Sequence, residues 1–134
     1  GYGMFPEDLA AVLMRVKQPY NVGTLAQVAA IAALDDRENA LDRVETILES
    51  RKALAAALAT LPGVRVYPSD ANFLLVRFSG HDAGSLHAQM RERGIALRRF
   101  TTPGLEDCIR VSVGLPEQNE TLTKTFAQLM PEVV

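Results

Sequence analysis

The chain changes texture at Pro62-Gly63, and that break constrains its fold more than any other feature. Before it, apolar residues recur at helical spacing. After it, short runs alternate apolar and polar residues, as strands with one face in a core do. Pro6 is a favoured first helical residue, and Glu7 and Asp8 complement the dipole of a first helix. Leu9, Val12, Leu13 and Val16 form its expected buried stripe, and Pro19 ends it. Thr24-Leu25-Ala26-Gln27 has the form of a capping box opening a second helix to about Leu34. Asp35 or Asp36 is the expected cap of a third. There Leu41, Val44, Ile47, Leu48, Leu54, Ala55 and Leu58 make a long apolar stripe reaching Leu61. A helix this long, charged on its far face, often bridges two domains.

Beyond the break the order reads strand, strand, helix, strand, strand, helix. Val64–Tyr67 is edge-like, and Phe73–Val76 reads as a short strand buried on both sides. Asp82 starts a helix through Leu86 and Met90 that Gly94 closes. A final helix begins at Pro116, with Leu122, Phe126 and Leu129 inward. The fold class is therefore α/β, with a small sandwich of about 70 residues, a usual domain size.

Between the last two helices lies the segment that points to chemistry. Ile109, Val111 and Val113 alternate with Arg110 and Ser112, and Ile95–Phe100 alternates upstream of the turn-rich Thr101–Leu105. A hairpin folded about Gly104 sets Arg98 opposite Arg110. Like charges directly opposite on one sheet face destabilise it, and an anion held between them removes the conflict. The alternative is that both guanidiniums are solvated or paired with Glu106, Asp107 or a distant carboxylate.

Composition excludes several classes. A net charge of −2 and a pI near 5.7 do not give the basic stripe of a nucleic-acid surface. No apolar run approaches the ~20 residues that span a bilayer. The single Cys108 forms no internal disulfide and suits a reducing compartment, hence the cytoplasm. His81 and His87 lie six apart, off the spacing of a helical metal pair; both read as surface residues, and no metal is expected. Asn119-Glu120-Thr121 matches a glycosylation sequon without secretory features around it, and reads as accidental.

Four segments carry a family resemblance: GYGMFPEDLAAVLMRVKQPYNV, VYPSDANFLLVRF, RGIALRRF and DCIRVSVGLPEQNETL. In order and spacing they resemble the fold-type I pyridoxal phosphate aminotransferases, closest to the histidinol-phosphate branch, over nearly the whole chain. The resemblance implies the carboxyl-terminal part of such an enzyme: residues 1–45 as the helical tail of the large cofactor-binding domain and start of an interdomain helix, and 46–134 as the small α/β domain. It implies amino transfer through pyridoxal 5'-phosphate in a cytoplasmic homodimer, from histidinol phosphate to 2-oxoglutarate, with no nucleic acid or membrane partner. The alternatives are an aromatic amino acid aminotransferase, a threonine-phosphate decarboxylase-like enzyme, or a non-catalytic α/β binding module.

Residue by residue, Arg110 resembles the family arginine that holds the substrate's anionic end, and Arg98 a second arginine that helps hold the phosphate. Asn72, in Ser69-Asp70-Ala71-Asn72-Phe73, resembles an asparagine near the substrate entrance; an asparagine bonding its own turn is the other reading. Tyr20 and Asn21 lie in a loop resembling the one that reaches the neighbour's cofactor site, though Tyr20 packing beneath its own loop also fits. The family's cofactor-bearing lysine precedes a segment like Gly1-Tyr2-Gly3, and Lys17, Lys52 and Lys124 lack its context. The expectation is a segment without its catalytic base, inactive alone. Leu115 stands where relatives carry a threonine that can cap the last helix.

Overall fold

The computed structural model describes residues 3–130; Gly1 and Tyr2, at the head of the first resembling segment, lie outside them. The chain divides into two units between Ala40 and Leu41. In the first, helix α1 spans Glu7–Val16 and α2 spans Thr24–Asp35. The apolar stripe of α1 is present but not buried: Leu9, Val12, Leu13 and Val16 are all exposed. About 40 residues are too few to build a core of their own. The capping box at Thr24 is displaced as well. Gly23 occupies the cap in extended geometry, and Gln27 donates its side-chain amide to the Val22 carbonyl at 3.1 Å.

The second unit is built on a four-stranded antiparallel sheet in the order β1-β2-β4-β3. These strands are β1 (Val64–Val66), β2 (Phe73–Phe78), β3 (Arg98–Arg99) and β4 (Cys108–Ser112). One sheet face carries the core. Leu74, Val76 and Phe78 from β2 and Ile109 and Val111 from β4 meet three helices there. Helix α3 (Arg37–Ala59) brings Leu54 and Leu58, α4 (Ala83–Glu92) brings Leu86 and Met90, and α5 (Pro116–Leu129) brings Leu122 and Phe126. The Phe78 and Phe126 rings sit 4.9 Å apart and tilted by 35°, an arrangement that adds to plain burial. Earlier in α3, Leu41, Val44 and Leu48 remain exposed.

Strand β2 is not buried on both sides. Phe73, Leu75 and Arg77 alternate as half-buried residues with the fully buried Leu74, Val76 and Phe78, because all three helices lie on one face. Its apolar run could not reveal this, since Phe73 and Leu75 look as fit for a core as their neighbours.

Local chemistry fixes the joints. The Asp82 carboxylate accepts from the Gly84 and Ser85 amides at 3.0 and 3.1 Å and starts α4. Leu115 cannot cap α5, but its amide donates to Gln118 Oε1 at 2.9 Å. The Asn119 amide group spans Gly114 in both directions, at 2.9 and 3.0 Å. That engagement occupies the asparagine of the sequon. Gly63 turns the chain from α3 into β1 at φ +69°, and a Cβ there would stand 2.3 Å from the Ser79 carbonyl oxygen. Gly63→Ala is therefore expected to lower stability by more than the roughly 1–2 kcal/mol that left-handed geometry alone costs. A reduced urea midpoint at unchanged slope checks this.

Candidate functional site

The sheet face turned away from the helices holds the candidate site. Cross-strand partners share a face, and the register places Arg98 directly opposite Arg110. Strand β3 is the edge, and Gly104 between the strands takes the positive φ, +86°, that its turn requires. Both arginines are exposed.

The carboxylates that could have neutralised the pair are engaged elsewhere. Asp107 pairs with Arg77 at 3.5 Å, and Glu106 accepts from the Gly104 amide at 2.7 Å. Among the described residues neither Arg98 nor Arg110 has a carboxylate within 4.0 Å. Arg110 instead lies over the Phe73 ring, its guanidinium carbon 5.1 Å from the centroid. A contact of this kind is worth about 0.5–1 kcal/mol at an exposed position and orients the guanidinium without neutralising it. The result is a cross-strand pair of cations, one of them lying over an aromatic ring and neither with a carboxylate partner among the described residues. A guanidinium is the side chain suited to a planar or tetrahedral oxyanion.

A second cross-strand arginine pair, Arg65 and Arg77, stands on the same face and is differently supplied. Arg77 has Asp107 and the Gly104 carbonyl at 2.9 Å, and the Tyr67 ring lies 5.0 Å from Arg65 and 5.9 Å from Arg77. Beside them Cys108 is fully buried, and burial together with its contact to Asp107 pushes the thiol up from its ordinary range. It stays protonated and packs.

Asn72 is exposed at the end of β2, and its backbone carbonyl accepts from the Val113 amide at 2.9 Å. Its side chain does not close the turn. Ser69 does so, donating to the Phe73 carbonyl at 2.6 Å and accepting from the Ala71 amide at 3.1 Å. Arg51 fastens the same turn from α3, donating to the Ala71 carbonyl at 2.7 Å. The Asn72 amide is thus left unengaged among the described residues.

Tyr20 and Asn21 belong to the first unit. Tyr20 adopts φ +58°, uncommon for a bulky residue, and is 96% exposed, so it does not pack beneath its loop. Asn21 accepts from Lys17 Nζ at 3.0 Å.

His87 departs from expectation. It is half-buried rather than a free surface residue, and its Nε2 lies 3.1 Å from the Leu97 carbonyl oxygen. Its spacing along α4, one residue past the buried Leu86, was the available signal. Among the described residues no cluster of His, Cys, Asp and Glu could hold a metal, and no helix is long and apolar enough to cross a membrane.

Residues 1–126 match the family described as aminotransferase class I and II. A histidinol-phosphate aminotransferase of Roseiflexus castenholzii is 50% identical over 132 residues, covering 96% of this chain and 36% of the relative. The chain thus spans about a third of the length of the curated relatives it matches. A putative aminotransferase from Burkholderia pseudomallei superposes with a TM-score of 0.81 at 35% identity, over 94% of this chain and 38% of that one. The L-threonine-O-3-phosphate decarboxylase of Porphyromonas gingivalis superposes with a TM-score of 0.80 at 25% identity, over 95% and 40%.

Proposed function

Since this chain belongs to the class I and II aminotransferases, a family dependent on pyridoxal 5'-phosphate, we propose that the whole protein transfers the amino group of histidinol phosphate to 2-oxoglutarate. The observation that carries the reading is the Arg98–Arg110 pair without a carboxylate. A phosphate dianion satisfies two guanidiniums where a single carboxylate satisfies one. The 50% identical relative is named for the same amine.

The cofactor supplies the electron sink for the reaction. Lys17 bonds Asn21 in the first unit, and in the second Lys124 pairs with Glu120 on α5 and Lys52 stands on α3, so neither lysine of that unit is on a strand of the sheet. The segment is proposed to bind and orient substrate while a lysine outside it bears the cofactor, and to be inactive alone. Arg110 grips the anionic end of each substrate, Arg98 adds the second grip for phosphate, and Asn72 offers a free amide at the entrance. Tyr20 and Asn21, held out on an exposed and strained loop, suit contact with a second subunit's cofactor site in a cytoplasmic homodimer.

The likeness to a threonine-phosphate decarboxylase favours a second reading on the same arginines, because that substrate also brings a phosphate. Incubating the whole protein with each phosphorylated amine separates them. We expect 2-oxoglutarate-dependent formation of glutamate from histidinol phosphate and no release of carbon dioxide from threonine phosphate. The opposite pattern refutes the aminotransferase reading.

A further inference from the structure

Strand β3 is two residues long and has a neighbour on one side only, so β4 alone cannot fix where Arg98 stands. Helix α4 supplies the rest, on both sides of that arginine. His87 Nε2 lies 3.1 Å from the Leu97 carbonyl oxygen. A carbonyl only accepts, so Nε2 is a protonated nitrogen of the ring and donates. One helical turn earlier Gly84 leaves room for Arg99, whose guanidinium carbon would be 3.1 Å from a Cβ there. Positions three apart share a helix face, and Leu97 and Arg99 are the two chain neighbours of Arg98. Arg99 turns towards the helix, as alternation along a strand requires when Arg98 turns away.

The geometry points to His87 as a positioning residue for Arg98: its N–H pins the Leu97 carbonyl and so sets the distance between Arg98 and Arg110. The inference rests on the reading of Arg98 as the second phosphate ligand. It assigns substrate preference to a residue that faces the back of the strand and touches no substrate.

The test uses the whole enzyme with its cofactor and compares His87→Ala, His87→Phe and His87→Gln, with Arg98→Ala as reference. His87→Phe keeps a ring and loses the donor; His87→Gln keeps a donor. His87→Ala and His87→Phe are expected to raise KM for histidinol phosphate roughly threefold to tenfold, the worth of one hydrogen bond. KM for glutamate should move much less, kcat should hold, and His87→Gln should recover most of the loss. In an Arg98→Ala background, His87→Ala should add nothing. Equal effects on both substrates, failure of Gln to rescue, or additive losses in the double variant would overturn the inference and leave His87 a packing residue. Failure of the underlying reading shows separately, as an Arg98→Ala enzyme that binds histidinol phosphate normally. If His87→Ala folds poorly, the Phe and Gln variants carry the comparison.

Discussion

Arg110→Lys in the whole enzyme is expected to lower kcat/KM about 30-fold to several thousand-fold, in both half-reactions. Lysine keeps the charge at the strand surface but loses the planar fork. It also loses the stacking partner geometry over Phe73, whose centroid lies 5.1 Å from the guanidinium. Arg110 is exposed, so the expected size holds for a bound substrate that shields it from water. Losing one partner of such a covered, hydrogen-bonded charge pair costs on the order of 2–5 kcal/mol, and each 1.4 kcal/mol is about tenfold. On the proposed reading both half-reactions should suffer, because amine and oxo acid would each bring an anion to this residue. Stopped-flow measurement of the separate half-reactions checks this. A loss confined to one substrate would remove Arg110 from its assigned place.

Arg98→Ala should discriminate where Arg110→Lys does not. Hydrogen bonds to a charged group contribute about 1.5–3 kcal/mol, so histidinol phosphate should lose roughly 10- to 150-fold in kcat/KM. Glutamate should change by no more than about fivefold, the range of exposed charge interactions. Arg98 lies directly opposite Arg110, and no carboxylate among the described residues competes for it. Removing it therefore also removes a like-charge repulsion, which for a carboxylate substrate offsets part of the lost attraction. Equal losses for the two substrates would make Arg98 a general electrostatic residue.

What the sequence disclosed divides by range. The Arg98–Arg110 pairing was legible because alternation and a glycine midway between them define a hairpin's register, and the observed register agrees. The Asp82 cap and the inward Leu122 and Phe126 were legible for the same reason, each being a local rule obeyed locally. Most of the failures needed a distant partner. Nothing in Phe73–Val76 says that helices cover one face and not the other. Nothing in the stripe of α1 says whether another segment lies upon it. The Thr24 box failed locally: the helix starts one residue earlier, with Gly23 at the cap, and Gln27 donates to the Val22 carbonyl. His87 looked unengaged because its partner is a backbone carbonyl, and backbone acceptors leave no mark in a sequence. The Arg51 hold on the Ala71 carbonyl was missed in the same way.

The two arginines differ in how freely evolution can alter them. Arg110 sits between Ile109 and Val111, both fully buried, so any insertion or register slip that moved it would turn core side chains to the outside. Arg98 sits on an edge pair whose strand supplies no buried residue. The turn from Thr101 to Glu106, which joins that edge pair to the strand beside it, is exposed but for Leu105 and can change while Ile95 and Leu97 keep their packing on the core. A change of residue at position 98 therefore leaves the core untouched, whereas position 110 is held in place by the buried residues on either side of it.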